Sequence, residues 1–174
     1  DGVPVLGLTW LPFVGQRYTA MTGEPVLCNG DALPWLGPGA LSDSVVGIGT
    51  FNIDSRGRYP GRYRAEVLAN LSRKCSRVRM HGSTGIDMAF VAAGILGAAI
   101  SFGHHIWDHA AGVALVRHQP MLLGNMEELF RRPGRQGGQT GHFIIGSEKA
   151  AKQRLVVSTD VGSDLPFQLG LQQR

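Results

Sequence analysis

A layered α/β fold is predicted for this 174-residue chain from three features. Short β-branched or aliphatic runs alternate with stretches of helical periodicity. Many of the 25 glycines stand at the joins between them, and the composition is 43% hydrophobic against 17% charged. Alternating strands and helices are what a sheet covered by helices requires. A chain of this length buries about two-thirds of the surface it exposes when unfolded, so one soluble globular domain is expected. Disorder, a disulfide-stapled miniprotein and a coiled coil are excluded.

The elements follow in order. Val3 to Leu11 alternates weakly and Gln16 to Met21 resumes after Pro12-Phe13-Val14-Gly15, which predicts a β-hairpin. Gly23 to Pro38 is interrupted by Pro25, Asn29-Gly30, Pro34 and Gly37-Pro38, giving a further short strand and a loop. Val45 to Ile48 is a β-branched strand. Tyr63 to Arg73 sets Val67, Leu68 and Leu71 on one face with no breaker, as a helix would. Val78-Arg79-Met80 is a strand, Gly82-Ser83-Thr84-Gly85 a turn, and Ile86 to Ala93 a helix. That helix is capped by Ser83 or Thr84, has Asp87 near its positive end and is closed by Gly94. Ala98 to Phe102 is the next strand, and Asp108 opens a helix through Val116. Pro133 to Gly141 reads as a loop, Phe143 to Ile145 as a strand and Glu148 to Leu155 as a helix.

Charge and cysteine content narrow the function classes. The formal net charge of +4 favours anionic ligands. The basic clusters at Arg73 to Arg79 and Arg131 to Arg135 are short and lack interleaved aromatics, so no nucleic-acid footprint is expected. Cys28 and Cys75 form neither a disulfide framework nor a zinc motif, which makes a reducing cytosol the expected compartment. Met88 to Phe102 is apolar but shorter than the roughly 20 residues of a membrane span. The chain opens on Asp1 rather than Met, within a strand-like run, and so reads as a piece of something longer.

Two segments could carry chemistry. Gly103 to His109 holds three of the six histidines and Asp108. His105 and His109 could ligate a metal if the helix began early, although solvent-facing histidines and a capping Asp explain the same residues, and Gly103 opposes an early start. Gly82-Ser83-Thr84-Gly85 lies between a strand and a helix, where free backbone N–H groups suit an anion or a hydroxyl-rich ligand; an ordinary N-cap is the alternative. No GK[ST] loop or GxSxG elbow is present, and Gly47-Ile48-Gly49 lacks the third glycine of a dinucleotide fingerprint.

Val78-Arg79-Met80-His81-Gly82-Ser83-Thr84-Gly85-Ile86-Asp87-Met88-Ala89-Phe90-Val91-Ala92-Ala93-Gly94 is followed by Phe102-Gly103 and then by Trp107-Asp108-His109-Ala110-Ala111-Gly112. In this order and at this separation the segments resemble the inositol monophosphatase family. Gly2 to Pro12, Gly15 to Ala20 and Phe143 to Ser147 also look like family strands. The resemblance implies an αβαβα sandwich of the sugar-phosphatase type, of which this chain covers the later strands of the first half and most of the second. Residues 1–38 would close the N-terminal metal-binding half and residues 39–174 would form the C-terminal half.

It further implies a Mg²⁺-dependent phosphomonoesterase for inositol 1-phosphate or a similar polyol phosphate, working as a cytoplasmic homodimer. Asp108 would be a Mg²⁺ ligand. Gly82, Ser83 and Thr84 would contact the substrate hydroxyls, and Ser101 would stand where inositol-specific members often carry Glu. The family's acidic cluster and DPxDGT motif match nothing in this sequence and are expected upstream of Asp1, with the catalytic groups; the isolated chain is therefore expected to be inactive. A fructose-1,6-bisphosphatase, a 3′-nucleotide phosphatase and a non-catalytic truncated binding or dimerisation module are the alternatives.

Overall fold

A computed structural model describes residues 4–36, 38–56, 59–103, 105–118, 122–123 and 143–145. The predicted hairpin is present as β1 (Leu6–Leu11) and β2 (Gln16–Met21), antiparallel in register from Leu6 opposite Met21 to Leu11 opposite Gln16. Pro12 starts a single 3₁₀ turn and Gly15 ends it at φ +65°, a conformation that favours glycine. Two short strands follow where one was expected. β3 (Leu27–Cys28) and β4 (Asp31–Ala32) fold back on each other about Asn29 and Gly30, both at positive φ. Asn-Gly is the natural pair for so tight a hairpin. Asn29 also ties this corner to the first hairpin, since its amide donates to the Gly15 carbonyl and its oxygen accepts from the Arg17 N–H.

β5 (Pro38–Gly39) pairs in parallel with β9 (Leu122–Leu123). The second sheet has the order β10-β8-β6-β7, from β6 (Val45–Ile48), β7 (Arg77–Arg79), β8 (Ala98–Ser101) and β10 (Phe143–Ile145). β6 runs parallel to both β7 and β8, and β10 is antiparallel to β8. α1 (Gly61–Lys74) joins β6 to β7 and buries Tyr63, Val67 and Leu71, a stripe of every fourth residue. β7 sits one residue earlier than the sequence pattern indicates, because Arg77 to Arg79 pair with Val45 to Gly47. α2 (Thr84–Ala92) is capped by Ser83, whose Oγ accepts the Ile86 N–H. Gly94 at φ +74° terminates the chain's helical course, with the Ile95 N–H returning to the Phe90 carbonyl.

α3 (Ile106–His118) begins two residues before Asp108, not at it. The His105 carbonyl accepts the Asp108 N–H, which closes the first turn early and leaves Asp108 inside it. The expected loop over residues 133–141 and helix over residues 148–155 lie outside the described residues, while the strand at Phe143–Ile145 is present.

β6 to α1 to β7 and β7 to α2 to β8 cross the sheet in opposite directions, so right-handed connections place α1 and α2 on opposite faces. α2 packs on β8 and on α3, and α3 packs on β1 and β2. The layers are therefore hairpin sheet, α2 with α3, second sheet, α1. Missing side chains set the spacing between them. A Cβ at Gly112 of α3 would overlap Met88 of α2, and one at Gly7 of β1 would come within 2.5 Å of the Ala111 carbonyl oxygen. The small residues after Trp107-Asp108 thus serve packing.

Candidate functional site

β6, β7 and β8 run in one direction, so the segments after them gather at one edge of the sheet. The chain leaves β6 for β7 on one side and returns to β8 on the other, which makes the β6/β8 boundary the topological switch point where open α/β sheets form crevices. Gly49, just past β6, donates its N–H to the Ile100 carbonyl at 2.8 Å, and Ser101 ends β8 beside it.

Two of the predicted site residues, Thr84 and Ser101, meet here. Thr84 Oγ1 and Ser101 Oγ are 3.1 Å apart and share a hydrogen bond, while the Gly103 N–H donates to Ser101 Oγ at 3.3 Å. Ser83 turns its hydroxyl to the α2 backbone as its cap, leaving only its main chain to line the edge. Gly82 adopts φ +76°, and the nearest atom to a Cβ there would be Thr50 Cγ2. Within this turn Ser83 is the cap, while the Thr84 hydroxyl turns to Ser101.

Asp108 is exposed in the first turn of α3 and forms no ion pair among the described residues. Its neighbours resolve the histidine question. His105 is exposed and stacks on Trp107, with ring centroids 4.5 Å apart. His109 is 3% exposed, its Nε2 directed at Gly103. Burial pushes the His109 imidazole below its usual 6.5, partly opposed by the Asp108 charge. One ring stacks at the surface and the other is buried, so the solvent-facing expectation holds for His105 and not for His109. Among the described residues no three His, Cys, Asp or Glu side chains are placed to hold one.

Two features were missed from sequence. Arg64, in the first turn of α1, donates from Nε to the Tyr59 carbonyl at 2.7 Å and sets its guanidinium 4.9 Å over the Phe102 ring, next to Ser101. The sequence places Asp87 at the positive end of the α2 dipole without indicating its burial. It is buried at 3% exposure and hydrogen-bonded to His81. Burial raises its carboxyl above 3.8, and the hydrogen bond and charge of His81 pull it partway back. The signal was available: an Asp flanked by Ile86 and the apolar run Met88 to Ala93 is buried and needs a partner.

The sequence profile of the inositol monophosphatase family matches residues 1–156, nine-tenths of the chain. The chain belongs to this family. Over 117 residues it is 73% identical to the inositol-1-monophosphatase ImpA of Mycolicibacterium smegmatis, covering 67% of this chain and 42% of that protein. It is 65% identical over 117 residues to the probable inositol 1-monophosphatase ImpA of Mycobacterium tuberculosis, covering 67% and 43%. The crystal structure of the extragenic suppressor protein SuhB from Bartonella henselae superposes with a TM-score of 0.64 at 27% identity, covering 84% of this chain and 53% of that one. The layered α/β fold is thus the family's own, and the chain spans about half the length of the relatives it matches. No helix among the described residues is long and apolar enough to cross a membrane.

Proposed function

We propose that this chain is the hydroxyl-binding and leaving-group half of a Mg²⁺-dependent phosphomonoesterase for inositol 1-phosphate or a similar small polyol phosphate. The observation that carries it is the meeting of Thr84 and Ser101 at the β6/β8 switch point, with exposed Asp108 on the helix that follows β8. The two mycobacterial relatives described above carry the name inositol monophosphatase. The donor chemistry at Asp108 fits Mg²⁺: a hard carboxylate oxygen, open to solvent, that can join a partly hydrated ion. The donor count is that of one ligand, so the remaining carboxylates come from residues other than these.

The division of labour follows from the geometry. Thr84 and Ser101, already sharing one hydrogen bond, offer their remaining donor and acceptor capacity to a hydroxyl of the polyol. The Gly82-Ser83 main chain approaches without a side chain between, and the α2 N-terminus favours a negatively charged ester. Asp108 would hold one Mg²⁺. Mg²⁺ held there would supply positive charge for the phosphoryl oxygens and for acidifying a water. With Ser101 in place of Glu, hydroxyl recognition is neutral, which suits a broader set of polyols.

Residues 1–38 belong, in this proposal, to the end of the metal-binding half and residues 39–174 to the second half. The partner is a phosphorylated polyol, not nucleic acid, and the working unit is a cytoplasmic homodimer. The free thiols of Cys28 and Cys75 accord with a reducing compartment.

The test is phosphate release from inositol 1-phosphate with Mg²⁺. The 174-residue chain alone is expected to release none. A chimera that completes it with the remaining length of the Mycolicibacterium relative is expected to turn over. In that chimera Asp108→Asn should weaken Mg²⁺ activation by about 100-fold, since even indirect partners of a ligand cost 10–100-fold. Turnover by the chain alone, or an Asn variant with unchanged Mg²⁺ dependence, would overturn the proposal.

A further inference from the structure

The pair His81 and Asp87 lies beside the Thr84–Ser101 contact yet belongs to no role so far assigned. Asp87 enters the interior opposite Gly47 of β6, where a Cβ would stand 3.2 Å from its Cγ. β6 admits the carboxylate because position 47 has no side chain. A carboxylate in that place needs a donor, and His81 supplies it: Nδ1 lies 2.5 Å from Asp87 Oδ1. The imidazole is held from a second side by Phe90, one helical turn beyond Asp87, with the rings edge to face at 5.7 Å. The His81 side chain keeps 30% exposure while Asp87 keeps 5%.

These contacts close a loop over residues 81–87. His81 bonds Asp87 at its ends, and inside it Ser83 Oγ takes the Ile86 N–H while the Ser83 carbonyl takes the Asp87 N–H. Gly82, Ser83 and Thr84 are all inside. Gly82 at φ +76° can take several backbone conformations unaided, so the turn's shape depends on what fastens its two sides.

We propose that His81 and Asp87 form a clasp that positions the Gly82-Ser83-Thr84 turn, and with it the Thr84 hydroxyl, for the polyol. The clasp as a fastening stands on geometry alone; its service to the ligand rests on the function proposed above. Both are positioning residues, since neither is shown to touch substrate.

His81→Asn and His81→Gln separate the two ring nitrogens, because the Asn amide nitrogen falls near Nδ1 and the Gln amide nitrogen near Nε2. Amide hydrogen exchange on the 174-residue chain reads the fastening without any activity. His81→Gln should speed exchange of the 84–87 amides by about tenfold, with β6 and β8 unchanged, and His81→Asn should restore most of the protection. Equal protection in the Gln variant, or no difference between Gln and Asn, would overturn the clasp. In the active chimera, His81→Gln should raise KM for inositol 1-phosphate several-fold with kcat little changed, and His81→Asn should recover it. Faster exchange with an unchanged KM would leave a fastening and overturn its service to the ligand. A chimera that never turns over, with exchange as expected, counts against the proposed function and not the clasp.

Discussion

The two four-stranded sheets place their apolar residues differently. In the second sheet, β8 buries all four of its residues and β6 buries Val46, Gly47 and Ile48, because helices cover it. In the first sheet, β1 buries Gly7, while Leu6, Leu8 and Trp10 face outward, Trp10 at 65% exposure. Met21 lies across from Leu6, and Phe13 and Val14 stand exposed at the hairpin tip. A half-covered antiparallel sheet ordinarily turns its polar side outward. On β1 the glycine faces the helix and the bulk faces solvent, while β2 buries Tyr18 and Ala20. Alternation alone marks two faces of a strand, whereas closeness of the neighbouring layer decides which residues the inner face can hold. An outward patch of this kind marks a packing or interaction surface.

The covered side should be the more fragile. Gly112→Val drives two methyl groups into Met88 at the α2/α3 contact, and a loss of about 3 kcal/mol is expected from overpacking, or a fall of about 10 °C in Tm. Calorimetry on the variant checks this, and an unchanged Tm would mean that the helices separate freely.

A smaller effect is expected from Asp87, and it depends on pH. Its folded-state pKa lies above the ordinary 3.8, so the folded chain holds this proton more tightly than the unfolded one. The resulting stability is fully present below 3.8 and is lost as pH rises through the folded value. Urea unfolding across that range should show the wild type losing ground to Asp87→Asn as pH increases. Removing His81, which pulls the carboxyl back down, should extend the loss to higher pH. A difference independent of pH would contradict the burial.

The uncovered side should tolerate most. Leu8→Thr with Trp10→Gln is expected to shift stability by about 0.5 kcal/mol or less, as exposed substitutions usually do, while reducing the binding of an apolar dye. A large loss of stability would show that the outer face is packed in solution.

Much of this arrangement is legible in the residues. Pro12 and Gly15 mark the first hairpin turn, Val67 and Leu71 mark α1, and Ser83 and Gly94 mark both ends of α2. The meeting of Thr84 with Ser101 follows from the family resemblance, which places both at one site. What escaped depends on tertiary closure. The direction in which β1 turns Leu8 and Trp10 requires knowing that α3 lies against Gly7. The Asp87 partner lies six residues away across a turn whose shape the partner itself helps set. The early start of α3 depends on the His105 carbonyl, which carries no side-chain signal.

The contact between Gly7 and Ala111 has a mechanical consequence. Ala111 sits one turn beyond Asp108 on α3, and its carbonyl and the Ala114 methyl lie directly against the β1 backbone at Gly7. Long side chains between layers would absorb a small displacement, but a seam of backbone and one methyl group leaves little to absorb it. The outer face of the hairpin is thus separated from the Asp108 helix by the thickness of a single strand.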